Sequence, residues 1–461
     1  MKTLHTIKII TFFTFCILIN SCDSFVDVDL PDSQLTSITV FEDEATADAA
    51  MAHIYAEIRD NGLLSGTQFG LSHNLGVYTD ELRFYGDSSF STFYFFNNTL
   101  LPSHPMIATY WNTGYHQIYA ANAVYAGVQG SAQISGENVN RLQGEALFVR
   151  ALLHFYLANL FGDIPYITST DHTVNSMAGR EPIEEVYAHI LTDLENAASL
   201  LPENYVANGR ARPNRYTAIA LMARVYLYEN SWNEAENMAT QVLNNSALYA
   251  DENNLQKIFK KDCTETIWQL PPAMEGHSTR EAETFTIFSG PPALSAFTES
   301  FVSSFSEDDL RKSAWIGQIS DGTNTWYYPK KYQQTGTEPV STEYSIILRK
   351  AEFYLIRAEA RVQKGNLEGA KEDLNKIRIR SGLSETTAMS PQEIMDALFE
   401  ERKLELFTEQ GHRFFDLKRL HKLDEVLTPL KPGWNTNDKL FPLPESELSS
   451  NPNLHPQNPG Y

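Results

Sequence analysis

Cysteine is scarce in this chain of 461 residues, and so is positive charge. With three cysteines the chain has little scope for disulfides, so its stability must come from packing. The formal net charge of -22 argues against nucleic acid as a partner, because phosphate binding requires a basic face. After residue 21 no apolar stretch approaches the roughly 20 residues that a membrane-spanning helix needs. With 42% hydrophobic residues, the rest of the chain can bury a large core, and we expect a globular body.

The N-terminus has the pattern of a bacterial lipoprotein signal peptide. Lys2 and Lys8 give it positive charge, and the apolar run 9–19 is too short to cross a bilayer. The run ends at Ile19-Asn20-Ser21-Cys22, which resembles a lipobox, the motif whose cysteine is lipidated and becomes the first residue. We therefore predict a signal peptide at residues 1–21 and a lipid on Cys22 that anchors the chain to the outer membrane.

Residues 22–43 are largely polar, which predicts a tether between the membrane and the folded body. Three acidic residues near its start resemble the surface-export signal of lipoproteins in the Bacteroidota: Asp23, Asp27 and Asp29. Cys16 would leave with the signal peptide and Cys22 would carry lipid. Cys263 would then be alone, so we expect no internal disulfide in the mature chain.

Apolar residues at helical spacing predict a mostly α body at 44–461, organised as a single domain. In the first helix the apolar face begins after Glu44, and Asn61-Gly62 is a stop signal. We expect the helical scaffold at about 44–62, 104–245 and 346–430.

An internal repeat indicates how these helices are arranged. Residues 220–242 match 355–377 in the spacing of their small and apolar residues, and Asn230 matches Gly365 in the intervening turn. This is the pattern of a tetratricopeptide helical hairpin, in which small residues let two helices approach closely. Because such hairpins stack to bury their apolar faces, we expect about four of them in a right-handed superhelical scaffold. Their expected positions are near 107–161, 182–229, 231–245 and 352–380.

Two segments, 63–103 and 246–345, interrupt the helical pattern with glycine, proline and aromatic residues. In the first we expect loops, with a short strand near Phe93. In the second we expect an inserted, loop-rich subdomain with short strands. Loops of this length inside a compact domain are usually functional, so both segments are predicted to form the ligand-binding part of the molecule.

Three motifs follow one another in the order found in a known family. The first is Gly144-Glu145-Ala146-Leu147-Phe148-Val149-Arg150-Ala151, running to Phe161-Gly162-Asp163-Ile164-Pro165. The second is Glu400-Glu401-Arg402-Lys403-Leu404-Glu405-Leu406, followed by Gly411-His412-Arg413-Phe414-Phe415-Asp416-Leu417-Lys418-Arg419. The third comprises Leu440-Phe441-Pro442-Leu443-Pro444 and Gln457-Asn458-Pro459-Gly460-Tyr461. With the lipobox, these motifs resemble the signatures of the SusD/RagB family from one end of the chain to the other.

The resemblance implies a function as well as a fold. It implies a lipid-anchored protein on the cell exterior that covers a SusC-like TonB-dependent outer-membrane transporter. The usual ligand would be an oligosaccharide, and a peptide is the alternative known in the same family. A docking subunit without its own ligand is a second class, which saturable thermal stabilisation by a ligand would exclude.

The charged residues of these motifs favour structural roles. Glu145 and Arg150 lie on one amphipathic helix, where such residues brace helix packing, and Arg413 is expected to pair with Asp416. His412 has no serine, cysteine or second histidine at the spacing of a catalytic triad. The sequence also lacks zinc motifs and a glycine-rich phosphate loop. We therefore predict a binding protein with no catalytic residue, no metal site and no cofactor.

The ligand-binding candidates come from the two loop-rich segments. Aromatic rings stack on the apolar faces of sugars, and amides or carboxylates bind their hydroxyls. The predicted ligand contacts are Asp80, Tyr85, Trp315, Trp326 and Tyr327. For each ring the alternative is a place in the subdomain core. A glycosidase would need two carboxylates that flank one bond, and Asp80-Glu81 suits that poorly because adjacent side chains point in different directions.

Overall fold

The structure, a computed structural model, describes residues 40–461, so the predicted lipidation site at Cys22 lies outside the described residues. The described chain is mostly helical, and none of its helices is both long and apolar enough to cross a membrane. The helices are α1 (Glu44–Asp60), α2 (Leu71–Tyr78), α3 (Thr92–Phe96), α4 (Pro105–Gln129), α5 (Gly136–Phe161), α6 (His172–Asn175), α7 (Ile183–Leu200), α8 (Arg215–Tyr228), α9 (Trp232–Asn244), α10 (Arg280–Phe285), α11 (Glu299–Ser303), α12 (Leu310–Trp315), α13 (Lys350–Gln363), α14 (Leu367–Arg380), α15 (Pro391–Leu406), α16 (His412–Arg419), α17 (Leu423–Leu427) and α18 (Glu445–Ser450). The strands are β1 (Leu82–Phe84), β2 (Thr266–Leu270), β3 (Ser295–Phe297), β4 (Ile316–Ser320), β5 (Thr325–Pro329) and β6 (Ser345–Arg349).

The repeated sequence forms two stacked helical hairpins, as predicted. One hairpin is α8–α9 and the other is α13–α14, and α9 packs against α13. The matched turn residues Asn230 and Gly365 both adopt a left-handed conformation, with φ of 60° and 80°. Matched alanines are fully buried where the helices meet, among them Ala223 and Ala358. A larger side chain at these positions would force the helices apart.

The same stacking continues towards the N-terminus. Helix α4 packs on α5, α5 on α7, and α7 on α8. Ser135 caps the start of α5 through its side chain, and Gly162 ends that helix with φ of 78°. The mostly α, tetratricopeptide-like scaffold predicted from the sequence is therefore confirmed.

The first loop-rich segment contains more helix than its sequence predicts. It forms α2, β1 and α3, and the expected strand near Phe93 is wrong because Phe93 lies within α3. Thr92 and Phe95 are the buried residues of this short helix, and a spacing of three matches one helical turn. Phe95 packs edge-on against Tyr78 and Tyr110, so tertiary contacts with the scaffold decide the local conformation.

Three small antiparallel sheets complete the fold. Strand β2 pairs with β6, and every residue of both strands is buried beside the scaffold. Strand β1 pairs with β3, and this pairing joins the two loop-rich segments. Strands β4 and β5 form a hairpin, and β5 packs against β3. The loops between these strands are thereby held against one side of the helical stack.

The C-terminal motif holds the end of the first motif in place. The backbone N–H of Phe441 donates to the carbonyl of Leu160 at 2.8 Å. The side-chain amide of Asn458 donates to the carbonyls of Phe161 and Phe441, each at 2.7 Å. The chain terminus therefore satisfies carbonyl groups that the last turn of α5 leaves without helical partners.

Candidate functional site

A buried ion network in the second motif lies beneath the loops. Glu405 on α15 accepts from Arg349 and Arg380 at 2.5 Å each, and from Arg311 at 3.2 Å. Burial acts to raise the pKa of Glu405, but the three guanidinium groups hold it well below its usual range. This part of the motif therefore has the structural role that the sequence predicts, and it fixes β6, α12 and α14 relative to one another.

Asp80 belongs to this structural framework, and both oxygens of its carboxylate are engaged by one arginine. Its carboxylate accepts from Nε and Nη2 of Arg413 at 2.8 and 2.7 Å. Burial raises the pKa of Asp80, but the hydrogen bonds from Arg413 outweigh it, and the net shift is downward. The expected pairing of Arg413 with Asp416 is wrong, because Asp416 pairs with Arg402 and Arg419 instead.

Trp315 is also a core residue. Its ring is buried between Phe259 and Phe407, and its indole N–H donates to the carbonyl of Leu255 at 3.0 Å. Because both the ring faces and the indole donor are occupied within the protein, the structure does not support a ligand contact for Trp315.

Trp326 and Tyr327 are consecutive residues of β5, so their side chains lie on opposite faces of the β4–β5 hairpin. Trp326 is 9% exposed and packs with Ile287 and Ala296 in a small core of its own. Tyr327 is half-buried against the main core. Trp326 contacts Gly290 so closely that a Cβ there would lie 1.9 Å from the ring. Trp326 therefore supports the loop that contains Gly290, whereas Tyr327 faces the main core.

The loop at 286–294 presents the most exposed aromatic side chain of the described residues. Phe288 is 73% exposed, whereas the loop on either side of it is held in place. Trp326 packs on Gly290, and the backbone N–H of Tyr85 donates to the carbonyl of Leu294 at 2.9 Å. Tyr85 itself is exposed at the end of β1, so this predicted residue lies beside the loop.

A second loop, at 62–70, presents Phe69, which is 45% exposed. The carbonyl of Phe69 accepts from the hydroxyl of Tyr110 on α4 at 2.7 Å, so the scaffold fixes the backbone while the ring faces outwards. The adjacent Gly70 is required because a Cβ there would lie 1.7 Å from the carbonyl oxygen of Ser65.

His73 joins the two loops through a buried bridge. Its Nδ1 lies 2.9 Å from the carbonyl of Gln68, and its Nε2 lies 2.9 Å from Oγ of Ser295. A carbonyl can only accept, so Nδ1 carries the proton and Nε2 accepts from the serine hydroxyl. Burial lowers the pKa of His73 to about 4, which keeps the ring neutral.

This bridge makes the stability of the fold sensitive to acid. An unfolded histidine is protonated below its ordinary pKa of 6.5, whereas folded His73 resists protonation until about 4. The unfolded state therefore binds more protons between these values, and stability falls as the pH is lowered through them. His73→Gln has no titrating ring at this position. Between neutral pH and about pH 4, its melting temperature is expected to fall less than that of the wild type. The exposed His53→Gln is the matched control, and parallel curves for the two variants would contradict this role for His73.

The two exposed rings border a groove of about 730 Å³, which is within the roughly 300–1,000 Å³ of small-molecule sites. Its polar lining includes Asp60, Asn61 and Gln68 on one side. Arg280 and Glu283 of α10 line it as well, and Arg280 contacts Asp60 at 3.2 Å and Glu283 at 3.0 Å. The groove thus combines aromatic faces with amide, carboxylate and guanidinium groups, an arrangement suited to polyhydroxylated ligands.

Sequence comparison identifies the family. Residues 222–461, more than half of the chain, match the model of the SusD family. Residues 25–227 match a SusD-like family described as starch-binding and associating with the outer membrane. The chain belongs to the SusD family. The two matches meet within α8 and together cover the whole described part of the chain.

Curated relatives of this SusD family member occur in Formosa agariphila. SusD-like protein P2 is 29% identical over 433 residues, which cover 79% of this chain and 83% of the relative. SusD-like protein P38 is 24% identical, and the match covers the full length of both chains. The resemblance to SusD proteins therefore extends over whole chains.

Solved structures have the same fold. A SusD superfamily protein of Bacteroides vulgatus has a TM-score of 0.78 at 21% identity, covering 92% of this chain and all of that one. A laminarin-binding SusD-like protein has a TM-score of 0.76 at 24% identity, covering 91% and 100%. These matches confirm the SusD fold that the sequence motifs predict.

Sequence analysis missed the two rings that border the groove. Phe69 precedes Gly70 directly, and Phe288 lies two residues before Gly290. In both loops the glycine is needed for close packing. An aromatic residue near such a glycine was therefore the sequence feature that could have indicated these exposed rings. Of the predicted contacts, Tyr85 and Trp326 come together beside the Phe288 loop, whereas Asp80 and Trp315 lie in the core.

Proposed function

We propose that this SusD family member is a surface lipoprotein that binds an oligosaccharide without turnover and delivers it to a SusC-like TonB-dependent transporter. The observation that carries the proposal is the pair of exposed rings, Phe69 and Phe288, at one groove. Two large aromatic rings that border one groove leave apolar surface in water, which a bound ligand would cover.

The groove is better suited to binding than to hydrolysis. A glycosidase needs a carboxylic acid with a raised pKa as proton donor. Burial raises the pKa of Asp60, but the hydrogen bonds from Arg59 and Arg280 outweigh it and lower it overall. Glu283 also contacts Arg280, so both carboxylates of the groove are held as partners of one guanidinium group. Ground-state contacts to sugar hydroxyls fit this arrangement.

Laminarihexaose is a suitable first probe because a laminarin-binding protein has the same fold. Phe288→Ala is expected to weaken its binding by about 10- to 100-fold, since the loss of an aromatic stacking face costs roughly 1–3 kcal/mol. Phe69→Ala should have a similar effect on the other side of the groove. Isothermal titration of the soluble chain beginning after Cys22 measures both, with maltohexaose and mannohexaose in parallel.

Met389→Ala is the control for this series, because Met389 is as exposed as Phe288 and lies outside the groove. Equal affinity in the wild type and in both phenylalanine variants would place the ligand elsewhere. Binding of peptides but of none of the three sugars would favour the peptide-binding alternative. Absence of saturable stabilisation by either class would favour a docking subunit.

Membrane attachment is tested separately through Cys22. Cys22→Ala removes the only thiol of the lipobox and is expected to abolish labelling by radioactive palmitate in a Bacteroidota host. The protein should then be lost from the outer-membrane fraction, because the lipid on Cys22 is its proposed anchor. Cys263→Ala, which removes the buried cysteine of the body, should leave both labelling and fractionation unchanged.

A further inference from the structure

A second pocket lies apart from the groove, against the middle of α4. It has a volume of about 390 Å³, within the range of small-molecule sites. Its walls come from α4, from the loop that follows α5, and from the C-terminal segment at 445–454. The lining residues used below are Trp111, Asn112, Tyr115, Tyr119, His172 and Glu447.

The α4 wall is an aromatic surface with a fixed geometry. Trp111, Tyr115 and Tyr119 are spaced four residues apart and so lie on one helix face. The rings of Trp111 and Tyr115 are 4.9 Å apart, and the hydroxyl of Tyr115 donates to the carbonyl of Pro165 at 2.8 Å. Tyr119, at the rim, is 46% exposed and adds a ring face that no core contact occupies.

Polar groups at this pocket have no protein partner. Among residues 40–461, no hydrogen bond or ion pair involves the amide of Asn112, the hydroxyl of Tyr119 or the carboxylate of Glu447. Asn112 and Tyr119 are exposed to solvent and Glu447 is partly exposed, so these groups are accessible to a ligand. Accessible donors and acceptors beside an aromatic wall suit a ligand that offers both hydroxyl groups and an apolar ring face.

The lining also excludes other ligand classes. No lysine or arginine lines the pocket, and the carboxylate of Glu447 would repel phosphates and acidic sugars. A purely apolar ligand would leave Asn112, Tyr119 and Glu447 desolvated without partners, which costs roughly 1–3 kcal/mol for each group.

We propose that this pocket is a second carbohydrate site, which binds a ring of a neutral sugar against the exposed ring of Tyr119. The choice of a sugar rests on the proposed function, whereas the place and the polarity of the ligand follow from the pocket itself. Asn112 also lines the depression that shares Asp60, Asn61, Thr67 and Phe69 with the groove. Both sites therefore border one continuous surface, and an oligosaccharide with several rings has contacts available at each.

The test uses small probes, so that each site is observed by itself. The methyl glycosides of glucose, galactose and mannose are titrated separately, to millimolar concentrations, into the wild type and into Tyr119→Ala and Phe288→Ala. Saturation-transfer NMR detects the bound glycoside. Tyr119 is exposed, so its replacement is not expected to disturb folding, and melting temperature confirms this. We expect one glycoside to bind saturably to the wild type. Part of its saturation-transfer signal should persist in Phe288→Ala. For that part of the signal, Tyr119→Ala should show about tenfold weaker affinity.

Three results would overturn the inference. One is saturable binding that is lost in Phe288→Ala and unchanged in Tyr119→Ala. That result would support the proposed groove and exclude the second pocket. Another is the absence of saturable binding by all three glycosides. The third is displacement of the bound glycoside signal by trialanine at the Tyr119 pocket, which would assign it to peptides. Loss of binding in Tyr119→Ala alone would instead support this pocket and count against the groove.

Discussion

Replacing Glu405 with glutamine is expected to lower the free energy of unfolding by roughly 3–5 kcal/mol, the usual cost of breaking a buried ion pair. The carboxylate of Glu405 contacts Arg349, Arg380 and Arg311, and all four side chains are buried. Glutamine keeps the shape but removes the negative charge and directs an NH2 group at buried guanidinium groups. Since domains are stable by only about 5–15 kcal/mol, the midpoint of urea unfolding should fall markedly.

Glu400→Gln provides the matched control on the same helix. Glu400 is half-exposed and contacts Lys403 at 3.3 Å, an interaction worth about 0–1 kcal/mol. Similar small shifts for Glu400→Gln and Glu405→Gln would mean that the network beneath the loops adds little to stability. A large shift for Glu405→Gln alone would show that the second motif is a structural signature.

The helical scaffold was predictable because its signals are local and repeated. Asn230 and Gly365 occupy equivalent turns, and both residue types tolerate the left-handed conformation found there. The matched alanines indicate close contacts between helices even where the partner helix is not known from the sequence. The expectation of a strand at Phe93 failed because a short aromatic segment has no periodicity long enough to distinguish strand from helix.

The site was less predictable because sequence does not indicate which way a loop residue faces. Trp315 and Phe288 both lie in the second loop-rich segment, yet the indole N–H of Trp315 donates to the carbonyl of Leu255 and the ring is buried. Phe288 is turned outwards because Trp326 packs on Gly290 beneath the same loop. Each outcome depends on a contact between segments far apart in the chain, which composition and spacing do not reveal.

The buried contacts also explain why widely separated motifs occur together. The end of the first motif is completed by the third, through Phe441 and Asn458. The second motif reaches the first loop-rich segment through Arg413 and Asp80. The motif residues thus hold in place the loops that border the candidate groove.

Asp80→Asn decides between a ligand role and a structural role for this residue. We expect it to destabilise the fold by roughly 3–5 kcal/mol at neutral pH, because it leaves the buried guanidinium of Arg413 without its partner. Asp80 has a lowered pKa in the folded state, so its stabilising effect is present above the unfolded pKa of about 4 and is lost as the pH falls. The difference between wild type and variant should therefore shrink in acid.

Asp87→Asn is the control, since Asp87 is fully exposed and caps only the local turn at Ser89. The double variant Asp80→Asn with Arg413→Met should be more stable than the sum of the two single losses predicts, because it leaves no charge unpaired. The folded fraction of Asp80→Asn should bind oligosaccharide with wild-type affinity. Unchanged stability together with weakened binding would instead restore the ligand role that the sequence indicates, and would remove Arg413 and Asp80 from the framework that supports the loops.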